Sequence, residues 1–434
     1  MSVIASLSQR FDMHRTMTPF NSHQLADLAR QHGTPLWIYD ADTIRQRIAQ
    51  LRAFDTIRYA QKACSNLHIL KLMRDEGVMV DAVSLGELAR SFAAGFAAEA
   101  ASNDGPEGVV FTADVLDHAT LAAVLDKKIT VNAGSLDMLE RLGRQASEGH
   151  RVWLRINPGF GHGHSNKTNT GGEHSKHGIW RDDLPRALEL VRRYRLKLVG
   201  LHMHIGSGVD YAHLAKVCDA MVDAVTELDH DIEAISAGGG LSVPYRDGEP
   251  GVDTAHYFRL WDDARRRIEA RVGHRVRLEI EPGRFLVAQS GVLVAEVHAL
   301  SRRPSRQFVL LDAGFNDLVR PSFYGSHHEI SVLRHDGTRS AAPSGAFSVA
   351  GPLCEAGDVF TQEPGGVVTS RSMPAPQVGD LIVFHDAGAY GASMSSNYNS
   401  RPLAPEVLIE RGEARLIRRR QRIEELIALE ETAG

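Results

Sequence analysis

Short apolar runs alternate with amphipathic segments over the first two thirds of the chain. Eight runs have strand character: Thr56–Ala60, Val78–Val83, Gly108–Thr112, Ile129–Ala133, Arg151–Asn157, Lys197–His204, Glu233–Ala237 and Arg277–Glu281. Most are rich in Val, Ile or Leu, and all are of strand length. Between most of them lie Leu85–Ala94, Asp117–Leu125, Leu136–Arg144, Leu184–Tyr194 and Leu214–Leu228, with apolar residues at helical spacing. Ser84 and Ser135 are placed to cap two of these helices. Eight such alternations within roughly 230 residues predict a (β/α)8 TIM-like barrel, whose active site lies at the carboxyl ends of its strands. A doubly wound sheet is the alternative, but it has no need of eight units.

The texture changes after Arg284. Short β-type runs follow at Val292–Leu300, Phe308–Asp312, Phe347–Ala350, Val359–Thr361 and Asp380–His385. Turn residues punctuate them, as in Asp336-Gly337 and Pro364-Gly365-Gly366. This predicts an α/β barrel followed by an all-β sandwich or barrel domain. Pro35–Tyr39 also reads as a strand and is expected to join the β domain. The predicted division is therefore residues 1–45 contributing to the β domain, 46–283 forming the barrel, and 284–434 completing the β domain. The charged tail Ala414–Leu429 is expected to be a solvated terminal helix.

Composition narrows the class. A chain of 434 residues exceeds what one core usually holds. A net charge of −5 points to neither nucleic acid nor an anionic membrane as partner. Three widely spaced cysteines, Cys64, Cys218 and Cys354, offer neither a disulfide framework nor a CxxC metal pair, which suits a reducing cytoplasm. No apolar run reaches membrane-spanning length, and no signal peptide is expected.

Five strings that fall at predicted strand ends carry the candidate chemistry. Lys62 lies in Tyr59-Ala60-Gln61-Lys62-Ala63-Cys64. Others are Arg155-Ile156-Asn157-Pro158, His202-Met203-His204-Ile205-Gly206-Ser207-Gly208, Gly238-Gly239-Gly240 and Glu281-Pro282-Gly283-Arg284. A lone strand-end lysine is ordinarily a solvated surface residue, but together these parts match an aldehyde-bearing pyridine cofactor. Lys62 can condense with the aldehyde. Gly238 to Gly240, the Gly206 backbone and Ser207 can hold a phosphate. His204 can stack on the ring, and Glu281 can keep the ring nitrogen protonated. The HxH pair is also a metal pattern, but no third His or Cys ligand stands at a recognisable spacing, so no metal is expected. The His-rich stretch Gly161–His177 reads as a loop above the barrel mouth.

The chain resembles the fold-type III (alanine racemase-like) pyridoxal-phosphate decarboxylases, most closely their diaminopimelate decarboxylase branch. YAQKACSN, LRINPGFGHGH, SKHGI, HMHIGSG, AGGGLSVPY, EPGRFLVAQSG, DAGFNDLVRP, GPLCEAGD and GAYGASMSSNYNSRP carry the likeness, in order and over nearly the whole chain.

That resemblance implies a carboxy-lyase that converts meso-2,6-diaminopimelate to L-lysine and carbon dioxide, the last step of bacterial lysine biosynthesis. It implies pyridoxal 5′-phosphate on Lys62, with His204, Ser207, Gly239, Gly240 and the string Glu281-Pro282-Gly283-Arg284 around it. Arg284 would serve the phosphate or the substrate's distal carboxylate. Arg320 and Tyr324 would grip that carboxylate, and Tyr390 would contact phosphate and substrate. Cys354 would return a proton to the carbon that lost its carboxylate, and Glu355 would bind the distal ammonium. Both are implied to reach the site from a partner subunit, hence a homodimer. Decarboxylation of ornithine, arginine or a carboxylated polyamine on the same fold is the alternative. A non-catalytic cofactor carrier is a further one, though it would not need Lys62, Glu281 and Cys354 together.

Overall fold

A computed structural model describes residues 19–98, 105–161, 170–204, 206, 208, 210–228 and 230–431. Its first sheet is a closed barrel. The barrel strands are β2 (Thr56–Ala60), β3 (Met79–Ala82), β4 (Val109–Ala113), β5 (Thr130–Ala133), β6 (Arg151–Asn157), β8 (Lys197–His202), β9 (Ala234–Ser236) and β10 (Arg277–Ile280). All pair in parallel, and β5 on β6 closes the ring. Two other early strands are β1 (Leu36–Asp40) and the two-residue β7 (Ile179–Trp180), which pairs in parallel with the carboxyl end of β6. β2 and β6 have the expected bounds to the residue, and the other barrel strands agree within two. They were legible because they are short β-type runs, buried along nearly their whole length and set between helical segments.

Polar residues sort to the two ends of the barrel. At the amino ends of the strands, the buried Arg58 pairs with Glu279 at 2.9 Å, while Glu107 pairs with Arg151 at 2.6 Å. Burial opposes the charge on Arg58, but Glu279 and Glu107 outweigh it and raise its pKa. Removing Arg58 alone would strip the buried Glu279 of its closest cation, a cost of about 3–5 kcal/mol in stability. This end is structural. The lysine, histidine, glycine and glutamate strings lie at the opposite, carboxyl ends.

The second sheet combines both ends of the chain. β11 (Gly291–Arg303), β12 (Arg306–Leu311), β13 (Ile330–Leu333) and β14 (Ser344–Ala350) precede a small hairpin, β15 (Gln362–Glu363) with β16 (Val367–Val368). β17 (Arg371–Pro374), β18 (Leu381–Phe384), β19 (Glu406–Glu410) and β20 (Glu413–Arg418) follow. The order is β17-β14-β12-β11-β1-β19-β20, with β18 bridging β11 and β13. β1 lies centrally, antiparallel to β11 and parallel to β19. Its alternation decides which side each residue serves. Leu36 and Ile38 join a small core under the helix Ser22–His32, whereas Trp37 and Tyr39 join the large core shared with the barrel.

Two expectations fail here. The tail is not one helix: Glu413–Arg418 pairs antiparallel with β19, and only Glu424–Ile427 is helical. The turn is Arg411-Gly412, both at positive φ (52° and 84°), a two-residue hairpin connection that favours a strand on each side. Val359–Thr361 makes only an isolated bridge, from Val359 to Ala350. Regular pairing resumes at β15. Ser84 and Ser135 do cap their helices, accepting from the amides of Glu87 and Met138.

Candidate active site

The carboxyl ends of the barrel strands open into a cleft of about 1330 Å³, whose far wall comes from the β domain. Lys62 sits in the one-turn helix Gln61–Ala63 that follows β2, exposed to the cleft. Its turn is pinned from both domains. The Tyr59 hydroxyl donates to the Cys64 carbonyl (2.9 Å), and the Tyr390 amide donates to the Ala63 carbonyl (2.8 Å). Tyr390 holds a positive φ of 57°, a strained conformation for a bulky residue. In that conformation its ring lies on the cleft, with the Arg284 guanidinium 5.1 Å from its centre.

Glu281 follows β10. One carboxylate oxygen lies 2.7 Å from His202 Nε2, and the other accepts from the Ser236 hydroxyl at 3.1 Å. Burial pushes this carboxyl up, but the charge and hydrogen bond of His202, with Arg58 further off, win and hold it at about 2. An ionised acid is therefore fixed at the cleft floor. Asp81 behaves oppositely: burial and the nearby Glu281 charge drive its carboxyl well above the usual range, with Thr112 and Lys62 pulling back. Its Oδ1 has no hydrogen-bond partner among the described residues.

His204 is a neutral ring. Burial, then Arg155 and Lys62, depress its pKa well below the histidine norm, and its Nδ1 accepts from the Gly239 amide at 3.0 Å. The glycine run beside it has no room for side chains. A Cβ on Gly239 would stand 2.4 Å from the Glu281 carbonyl oxygen, and one on Gly240 would stand 2.3 Å from that of Gly206. Gly240 also needs φ of 100°.

Lys62, His204, Gly239, Gly240, Glu281, Gly283, Arg284, Arg320, Tyr324 and Tyr390 all line the one cleft. Pro282 is buried behind its wall, and its carbonyl accepts from the Ala60 amide at 3.2 Å. Ser207 lies outside the described residues, as do residues 162–169 of the His-rich stretch. Cys354 and Glu355 do not line this cleft in the single chain. Both are exposed, with the Cys354 amide donating to Asn399 Oδ1 (3.0 Å) and the Tyr398 hydroxyl donating to Glu355. His202, Asp81, Arg155 and Tyr245 line the cleft without having been given a role from sequence. His202 and Arg155 stood in the quoted strand-end strings. Tyr245 closes AGGGLSVPY.

The cradle of side-chain-free backbone, a flat neutral ring, an anionic acid and an amine on one cleft fit pyridoxal 5′-phosphate. Residues 41–288 match the family model for the pyridoxal-dependent decarboxylase, pyridoxal binding domain. Over 416 residues the chain is 62% identical to diaminopimelate decarboxylase of Escherichia coli strain K12, covering 96% of this chain and 98% of that protein. The chain belongs to the diaminopimelate decarboxylase family. A crystal structure of a diaminopimelate decarboxylase superposes with a TM-score of 0.91 at 61% identity, covering 95% of this chain and 97% of that one. The Helicobacter pylori diaminopimelate decarboxylase complexed with L-lysine gives 0.82 at 30% identity, covering 94% and 99%. The chain is thus a pyridoxal-phosphate-dependent decarboxylase, a barrel with an added, mostly β domain. Among the described residues no helix is long and apolar enough to cross a membrane, and no cluster of His, Cys, Asp and Glu could hold a metal.

Proposed function

We propose that this enzyme removes the carboxylate at the D-centre of meso-2,6-diaminopimelate and releases L-lysine, with the residue roles that follow. The observation that carries the reading is Arg320, a buried guanidinium on the cleft wall opposite the Lys62 turn's domain. A decarboxylase for a plain diamino acid needs only an acid at that end, whereas a carboxylate there calls for an arginine fork.

Bound to Lys62 through its aldehyde, pyridoxal phosphate supplies an electron sink for the bond that carbon dioxide leaves. Lys62 would hold the cofactor through its amine and give up that place to the substrate amine. Glu281 stays ionised and keeps a proton on the ring nitrogen. His204 would cover one ring face, while Gly239, Gly240 and Ser207, with Arg284 and Tyr390, would hold the phosphate end. Pro282 and Gly283 set the path of the string that carries Glu281. Arg320 and Tyr324 grip the distal carboxylate, Glu355 the distal ammonium, and Cys354 returns a proton to the carbon.

Cys354 and Glu355 are exposed and away from their own chain's cleft, which supports a homodimer in which each subunit completes the other's site. Burial pushes the thiols of Cys64 and Cys218 up to about 12, leaving Cys354 as the accessible thiol for such a role. The pairing of β1 with β11 and β19 supports the division into residues 46–283 and a second domain from 1–45 with 284–434. Three free thiols suit a cytoplasmic location.

Mixed subunits test the proposal. Lys62→Ala and Cys354→Ala proteins, each inactive alone, are expected to recover about a quarter of the wild-type rate of L-lysine release from meso-diaminopimelate when reassembled together. No recovery would place Cys354 and Lys62 in the same subunit's site, and a Cys354→Ala protein that is active alone would remove Cys354 from the chemistry. Recovery on another amino acid alone would overturn the substrate.

A further inference from the structure

Arg320 is held from behind the cleft wall. Its Nη1 lies 2.9 Å from His328 Nε2, and its guanidinium carbon stands 4.7 Å from the centre of the Tyr245 ring. His328 Nδ1 in turn lies 2.8 Å from the His385 carbonyl oxygen. A carbonyl only accepts, so Nδ1 carries the ring proton; a guanidinium only donates, so Nε2 receives through its lone pair. One neutral tautomer satisfies both bonds. An imidazolium would turn an N–H, and a charge, against Arg320.

The surroundings keep that tautomer in place. His328 is 1% exposed and Arg320 4%. Tyr245 meets His328 edge to face at 5.5 Å and 77°. Arg371 donates to the His328 carbonyl, and the neighbouring His327 bonds Glu329 at 2.9 Å. Burial, then the charge of Arg320, push the His328 pKa well below the usual histidine range.

We propose that His328 is a positioning residue for substrate recognition: as a neutral acceptor it fixes the plane of the Arg320 fork that receives the distal carboxylate. The inference rests on the role given to Arg320 above. A guanidinium has five N–H groups, so spending one on His328 still leaves N–H groups for the ligand. Fixing the plane matters because bidentate recognition of a carboxylate is geometric as well as electrostatic.

The test compares two product-like ligands by inhibition of the holoenzyme. L-Lysine keeps the carboxylate that would face Arg320, and 1,5-diaminopentane is the same molecule without it. The wild type is expected to prefer L-lysine, and Arg320→Met to lose that preference. His328→Leu is expected to weaken L-lysine on the order of tenfold and leave 1,5-diaminopentane unchanged. His328→Gln, whose Oε1 reaches the place of Nε2, should restore the preference. A His328→Leu enzyme that keeps the wild-type preference, or weakens both ligands alike, overturns the positioning role. A wild type with no preference overturns the reading of Arg320, and this inference with it.

Discussion

Glu281→Gln is expected to lower kcat by about 10²–10³-fold while leaving the cofactor bound. Gln fills the same space and can still meet Ser236, but it cannot carry the charge that keeps a ring nitrogen protonated. The loss should fall on kcat more than on KM, because the role proposed for Glu281 is at the ring nitrogen and not at the far end of the substrate. Its pH signature follows from the direction of the shift. The folded carboxyl sits at about 2, below the ~4.3 of an unfolded chain. The ionised form therefore contributes fully above pH about 4.3, and its contribution fades only as pH falls toward 2. Activity lost between pH 8 and 5 must come from another group. An unchanged kcat in Glu281→Gln would remove the ring-nitrogen role.

Arg320→Ala is expected to cost about 2–4 kcal/mol in kcat/KM on meso-diaminopimelate, from the loss of a buried, charge-assisted fork. Turnover of a diamino acid without the far carboxylate should be little affected, so the ratio between the two substrates is the quantity to read. Arg320→Lys keeps the charge but not the fork and should recover only part of the loss. A variant that retains diaminopimelate turnover would show that the carboxylate is held elsewhere, with Arg284 the next cation on the cleft. A wild type that prefers ornithine or arginine would overturn the substrate itself.

Much of the architecture was legible because buried barrel strands are short β-type runs between amphipathic helices, a pattern that survives the inward-facing arginines of Thr56–Ala60 and Arg151–Asn157. The longest helix, Thr254–Val272, was not read, although Tyr257, Trp261, Ala264 and Ile268 form its buried stripe. Its many charged residues hid that stripe, while Asp253 and Gly273 mark its two ends. In the tail, the Arg411-Gly412 turn was the better guide, and the charged composition misled because edge strands carry charge too.

The site divides the same way. Lys62, His204, the glycines, Glu281 and Arg284 stand in local strings at strand ends, so their convergence could be anticipated from barrel topology. The residues that tune them could not. His202 acts on Glu281 across 79 positions of sequence, and His328 meets Arg320, Tyr245 and the His385 carbonyl from separate elements. Such contacts have no local signature. Cys354 and Glu355 were visible only through family likeness, since nothing in one chain brings them to the cleft.

The most direct measurement adds meso-diaminopimelate to the purified, cofactor-loaded enzyme, with the visible spectrum recorded first. The account predicts a visible band from cofactor bound covalently to Lys62, then L-lysine and carbon dioxide in equal amounts. No band after adding pyridoxal phosphate, or a band without lysine from diaminopimelate, would contradict it.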